Sequence, residues 1–318
     1  MKIVVLDGHA LNPGDLSWEG MAALGEFTLY PRTSAEHTLS RCRDADIVLT
    51  NKVSFSAATL DQLPRLRLIA VNATGYNNID TAAAARNGVK VCNVPAYSTD
   101  SVAQLVFAMI LEHASRVGLH NAAVQAGEWV RSPDFVFWKS PLMELAGKTM
   151  GIAGFGNIGR KVGDIANAFG MRVLAYNRSR RETPAYANFS WADLSTLLRD
   201  SDVVSLHLPQ TPETTGLINH ARLKLMKPSA LLVNTGRGGL IVEQDLADAL
   251  RAGVIAGAAV DVISSEPMPA GHPLLGLPNC LITPHIGWAT VEARRRCMTI
   301  TTENVRSFIA GEPRNVVN

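Results

Sequence analysis

The chain has 318 residues, 47% of them hydrophobic and 18% charged, which suits two domains that each bury a core and excludes a disordered polyelectrolyte. Thirty basic against 28 acidic residues leave a net charge of +2, so no chain-wide bias towards nucleic acid or an anionic membrane exists. Cys42, Cys92, Cys280 and Cys297 form no Cys-x-x-Cys pair, which argues for buried thiols in a reducing compartment and against a disulfide framework or zinc knuckle.

MKIVVLDG opens as a strand at residues 3–6 with an early Asp7 and lacks a signal peptide's apolar stretch, so a cytoplasmic location is expected. Strands follow at 46–50, 66–71 and 89–94, with a helix at 81–87 closed by Gly88. Residues 98–116 read as a long helix joining two strand groups; their apolar core, 102–111, is interrupted by Gln104 and too short to span a bilayer. Trp129, Phe135, Phe137 and Trp138 then cluster, either as core under a long loop or as an exposed patch.

The second strand group lies at 149–155, 172–176, 202–208, 230–234, 257–262 and 280–283, and a last helix at 290–309 ends before Gly311 and Pro313. This alternation predicts an α/β fold of two lobes, each a parallel sheet with helices on both faces. The simplest division makes residues 1–98 plus 288–318 one lobe and inserts 99–287 as the other, with a ligand crevice expected between them at the carboxyl ends of the strands.

Between the strand at 149–155 and a helix at 158–169 stands GFGNIG, with Gly154, Gly156, Asn157, Ile158 and Gly159. Gly154 would permit the tight turn, Gly156 would let the backbone approach a pyrophosphate, and Gly159 would let the helix pack on the strand. The plainer alternative is a βαβ turn without a ligand. Three polar groups follow other strands of this lobe: Arg237 in NTGRGG, Glu266 in DVISSEP and His285 in TPHIGW. A guanidinium offers a planar fork to a carboxylate, a histidine exchanges a proton near neutral pH, and an adjacent carboxylate would hold the imidazolium. Together with a dinucleotide they suit hydride transfer between a 2-hydroxy acid and a 2-keto acid. Singly, Arg237 reads equally as a turn cap or phosphate ligand, His285 as structural, and Glu266 as a solvated loop carboxylate. The remaining histidines make no Cys/His ligand cluster, so no metal is expected, and no Gly-x-Ser-x-Gly elbow supports acyl transfer.

The ordered series ATGYNNID (73–80), VPAYSTDSVAQ (94–104), GFGNIG (154–159), LHLPQTPET (206–214), NTGRGG (234–239), AAVDV (258–262) and TPHIGW (283–288) resembles the D-isomer-specific 2-hydroxyacid dehydrogenases over essentially the whole chain. Within that family it is most similar to glycerate dehydrogenases, also called hydroxypyruvate or glyoxylate reductases. The resemblance implies a Rossmann-type cofactor domain inserted into a flavodoxin-like substrate domain. It also implies that Arg237, Glu266 and His285 are the catalytic set. The backbone of Thr74 and Gly75 would then sit on the substrate carboxylate, Asp261 at the nicotinamide carboxamide, and Pro209, Thr214 and Thr235 along the cofactor. The substrate would be a small 2-keto acid, hydroxypyruvate or glyoxylate, reduced to D-glycerate or glycolate. Gln104 departs from the family's usual Glu, at a position read as structural.

The strand at 172–176 is followed by Asn177, where an NAD enzyme usually carries an acid for the ribose, and then by Arg178, Ser179, Arg180 and Arg181. An amide among arginines would welcome a 2′-phosphate, so NADP(H) is the expected preference with NAD(H) possible; a solvated basic turn is the alternative. In the related glyoxylate/hydroxypyruvate reductases the aromatic region at 129–138 forms a dimer arm, so a homodimer is expected. Two rival readings fit part of the pattern. A dinucleotide-sensing corepressor-like binding protein shares this fold, but the chain carries all three catalytic groups and no basic tail. Formate dehydrogenase needs no proton transfer, to which Glu266 beside His285 points.

Overall fold

Strands that are apolar at every position need cover on both faces, and the chain supplies two sheets of that kind. The computed structural model describes residues 1–179 and 182–318. They divide into two units, Met1–Ser98 with Trp288–Asn318, and Thr99–Gly287.

In the first unit, β1 (Lys2–Val5), β2 (Glu26–Leu29), β3 (Ile47–Thr50), β4 (Leu68–Val71) and β5 (Lys90–Cys92) form a parallel sheet in the order β2-β1-β3-β4-β5. Side chains alternate between its faces. The row Val4, Val48, Ile69 and Val91 enters one core, and the row Val5, Leu49, Ala70 and Cys92 enters the other. Full burial of each such Val, Leu or Ile contributes about 1.5–3 kcal/mol. The last part of the chain completes this unit. The helix Val291–Ile309 adds Val305 to the second core and packs Ala293, Cys297 and Met298 on Leu11, Val94 and Tyr97. Asn318 then donates to the Val89 carbonyl at 2.7 Å and accepts from the Val91 N–H at 2.9 Å.

The second unit holds β6 (Thr149–Ala153), β7 (Arg172–Tyr176), β8 (Phe189–Trp191), β9 (Val203–Leu206), β10 (Leu231–Asn234), β11 (Gly257–Val260) and β12 (Cys280–Ile282). They pair in parallel in the order β12-β11-β10-β9-β6-β7-β8. The order reverses direction between β6 and β9, the topological switch point at which doubly wound sheets take their ligands. Ile152, Val173, Val203 and Val233 face one core, and Ala153, Val204, Leu232 and Val260 the other. The doubly wound α/β architecture expected from the alternation is the one the chain adopts.

Two features differ from the sequence expectation. The short outer strands β2 and β8 were not foreseen; neither has a fully buried residue, so neither shows the apolar run that marks its neighbours. The long helix expected at 98–116 runs Thr99–Ser115 and breaks at Arg116, which adopts φ +48°, and a further helix, Val117–Gln125, leaves at 56° to it. Among the described residues no single helix is long and apolar enough to cross a membrane. All four cysteines are unpaired, and burial pushes each thiol up to about 12, so none offers a thiolate at neutral pH.

Candidate active site

The glycine loop leaves β6 at the switch point. Gly154 has φ +101°, and a Cβ there would lie 2.6 Å from the His207 carbonyl carbon, so only glycine can make this turn. A Cβ on Gly159 would lie 2.1 Å from the Gly154 carbonyl oxygen, which is the close helix–strand approach expected of it. At Gly156, the N-cap of the helix Asn157–Ala168, nothing stands within 4 Å of a built Cβ. The backbone is therefore bare where the first-turn N–H groups and the positive end of the helix dipole meet. Ile158 packs on the core and Asn157 is exposed. Thr235 Oγ1, just past β10, is buried with no partner among the described residues. An open cradle and an orphaned hydroxyl at one set of strand ends fit a dinucleotide.

Asn177 is half-buried, and its Oδ1 accepts from the Phe155 N–H at 3.2 Å, so the amide braces the glycine loop. Arg178 and Ser179 are exposed beyond it, and Arg180 lies outside the described residues. The sequence reading did not count Glu213. Its carboxyl is held below the usual range, first by a hydrogen bond with Thr211 and further by the positive charge of Arg178. Pro209 is exposed, and the Thr214 hydroxyl closes its own loop, donating to the Pro209 carbonyl at 2.7 Å and accepting from the Thr211 N–H at 2.8 Å.

Arg237, Glu266 and His285 follow β10, β11 and β12. The buried Asn234 shapes the turn before Arg237: its Oδ1 accepts from the Gly236 N–H at 3.0 Å and its Nδ2 donates to the Arg237 carbonyl at 2.9 Å. The half-buried guanidinium donates to the Gly236 carbonyl at 2.8 Å. Next to it, Gly238 abuts the backbone of Ile263 and Ser264 in the segment that carries Glu266. The structure brings His285 and Glu266 together, with Nδ1 and Oε2 2.7 Å apart and the side chains 27% and 31% exposed. A carboxylate only accepts, so Nδ1 carries the proton there and Nε2 is left for a reacting oxygen.

His285 has φ +56°, a costly conformation for a residue other than glycine, and Asp261 explains how it is held. Asp261, 3% exposed, accepts from Thr283 Oγ1 at 2.6 Å, from the Ile286 N–H at 2.8 Å and from the Gly287 N–H at 2.8 Å. Sequence reasoning gave this residue a cofactor role alone; in the fold it pins the turn that presents His285. A possible competitor as proton donor, His207, follows β9, but burial pushes its imidazole down to about 4 and Ser205 Oγ sits 2.8 Å from its Nε2, so it stays neutral.

In the first unit, Thr74 and Gly75 lie in the loop after β4. The Thr74 hydroxyl donates to the Val94 carbonyl at 2.7 Å and its carbonyl accepts from Asn93 at 2.7 Å, while the N–H groups of Thr74 and Gly75 donate to no other described residue. No group of three metal-ligating side chains occurs among the described residues.

Sheet order, bare glycine loop and a histidine–carboxylate pair together are those of a dinucleotide-dependent oxidoreductase. Residues 107–287 match the model of the D-isomer specific 2-hydroxyacid dehydrogenase, NAD binding domain. The chain is 48% identical to a hydroxypyruvate reductase of Blautia hydrogenotrophica over 100% of both chains. It is 38% identical to a glycerate dehydrogenase of Methylorubrum extorquens, over 99% of this chain and 98% of that one. Among solved structures it resembles an NADPH-dependent glyoxylate/hydroxypyruvate reductase from Sinorhizobium meliloti in complex with NADP and malonate, at a TM-score of 0.85 and 27% identity over 99% and 96% of the chains. The chain belongs to the D-isomer specific 2-hydroxyacid dehydrogenase family.

Proposed function

We propose that the chain reduces small 2-keto acids, hydroxypyruvate or glyoxylate, to the D-2-hydroxy acid or glycolate, and oxidises D-glycerate in reverse. The observation that carries this reading is the 2.7 Å contact between His285 Nδ1 and Glu266 Oε2, which leaves Nε2 to exchange a proton with the substrate oxygen. A nicotinamide, when bound, supplies the hydride. Arg237 binds the substrate carboxylate and polarises the carbonyl, Glu266 stabilises the imidazolium, and the free N–H groups of Thr74 and Gly75 receive the carboxylate. Gly154, Gly156, Asn157, Ile158 and Gly159 hold the pyrophosphate, with Thr235 and Pro209 along the cofactor. Initial rates with hydroxypyruvate, glyoxylate, pyruvate and bulkier keto acids, with chiral analysis of the product, test the proposal. Turnover to D-glycerate is expected; no turnover of any keto acid, or L-glycerate, would overturn it.

NADP(H) is the proposed preference. Asn177, not an acid, stands at the end of β7, so nothing there repels a 2′-phosphate, and Arg178 and Ser179 supply donors at the surface, although Glu213 shares the Arg178 charge. An NADPH advantage of roughly 10- to 150-fold in kcat/KM is expected, falling with salt because the groups are exposed. Asn177→Asp keeps an acceptor for the Phe155 N–H, so combined with Arg178→Ala it should swing preference to NADH without disturbing the loop. Equal kcat/KM with NADH in the unmodified enzyme would show a solvated turn.

The protein is also proposed to be a homodimer. Val130, Phe135 and Trp138 are 90%, 89% and 65% exposed on one segment, an apolar patch that a second copy would cover. Sedimentation as a dimer is expected, and a stable, fully active monomer would count against it. A cytoplasmic location rests on the four unpaired thiols.

A further inference from the structure

Glu266 sits in a long irregular segment between β11 and β12, and an irregular segment does not by itself hold a carboxylate at 2.7 Å from a histidine. Something must fix it. Two residues before Glu266, Ser264 donates twice to the carboxylate of Glu243: its N–H to Oε1 at 2.6 Å and its Oγ to Oε2 at 2.6 Å. The same Oε2 lies 3.1 Å from His272 Nε2, and the His272 side chain is 3% exposed. His272 Nδ1 accepts from the Leu274 N–H at 3.3 Å, so Nε2 carries the ring proton. Its N–H is off the line of Oε2, so this contact is electrostatic rather than a straight hydrogen bond.

The Glu243 side chain is 14% exposed, far more withdrawn than a solubilising helix carboxylate. It is the first residue of the helix Glu243–Arg251, where the dipole favours an anion, and two donors from Ser264 together with the electrostatic contact to His272 compensate its desolvation. The Ile263 N–H reaches Glu266 Oε1 at 3.4 Å, which leaves Oε2 for His285. The position of Ser264 therefore sets the position of Glu266.

We propose that Glu243, with Ser264 and His272, is a positioning network that fixes Glu266 against His285 for proton transfer. It touches neither substrate nor cofactor and acts through Glu266. The inference rests on the catalytic reading above, and Glu266→Gln serves as the reference that separates the two.

The test uses the full-length enzyme with saturating cofactor. In Glu243→Ala, kcat for keto-acid reduction should fall about 10- to 100-fold, the range for a misplacement near 1 Å, while cofactor affinity holds. The loss of rate at high pH should begin at lower pH, as in Glu266→Gln. Ser264→Ala keeps the N–H bond and should move both readouts in the same direction by less. In a Glu266→Gln background, Glu243→Ala should add no further shift in the pH profile, because the group it positions is gone. If Glu243→Ala proves too unstable to assay, Ser264→Ala decides. Variants that lose thermal stability alone, with kcat and pH profile unmoved, overturn the positioning role. A Glu266→Gln enzyme with an unchanged pH profile overturns the catalytic reading instead.

Discussion

Replacing His285 with alanine is expected to lower turnover on 2-keto acids by ~10²–10⁴ while cofactor binding persists. The imidazole is needed for the proton, and the turn around it does not depend on the ring: Asp261 holds Ile286 and Gly287 through their backbone N–H groups. The variant should therefore fold, and cofactor titration with steady-state kinetics would separate binding from chemistry. Reduction takes up a proton, so the wild-type rate should fall as pH rises. In Glu266→Gln that fall should move to lower pH, because a neutral amide stabilises the charged imidazole less. A His285→Ala enzyme with near-full turnover would sink the proton-transfer assignment.

The second large effect is expected at Gly238. A Cβ there would lie 1.9 Å from the Ile263 carbonyl carbon and 2.3 Å from the Ser264 nitrogen, both of them backbone atoms that cannot rotate away. Gly238→Ala must push apart the turn carrying Arg237 and the segment carrying Glu266. Overpacking of this kind costs about 1–3 kcal/mol, and more where backbone must move. A shift of about 1 Å in either catalytic group should cost on the order of 10²-fold in kcat/KM. Thermal denaturation and kinetics read the two effects independently. Unchanged kinetics would mean that neither Arg237 nor Glu266 depends on this contact.

Much of the fold was legible because buried parallel strands are apolar throughout. β6, β9, β10 and β11 are buried at every position and stand out from any neighbouring segment. β2 and β8 lack that mark, since each is covered on fewer sides. The helix Val117–Gln125 escaped because the left-handed Arg116 ends one helix without a glycine or proline to announce it. Around the site, Arg237, Glu266 and His285 could be found because each follows a strand, and strand ends are where ligands bind. Glu243 and His272 could not. Their meeting with Ser264 depends on the path of the irregular segment between β11 and β12, and no periodicity records that path. Asp261 was visible, but its three bonds to the His285 turn were not.

The placement of residues 288–318 has a consequence for biosynthesis. The second unit is continuous in sequence and can close once Gly287 has left the ribosome. The first unit cannot. Strands β1 to β5 are made before the second unit, yet one core lacks Val305 and the β5 edge lacks Asn318 until residues 288–318 are in place. A released chain truncated after residue 287 should therefore hold a folded nucleotide unit preceded by an unfinished, aggregation-prone N-terminal segment.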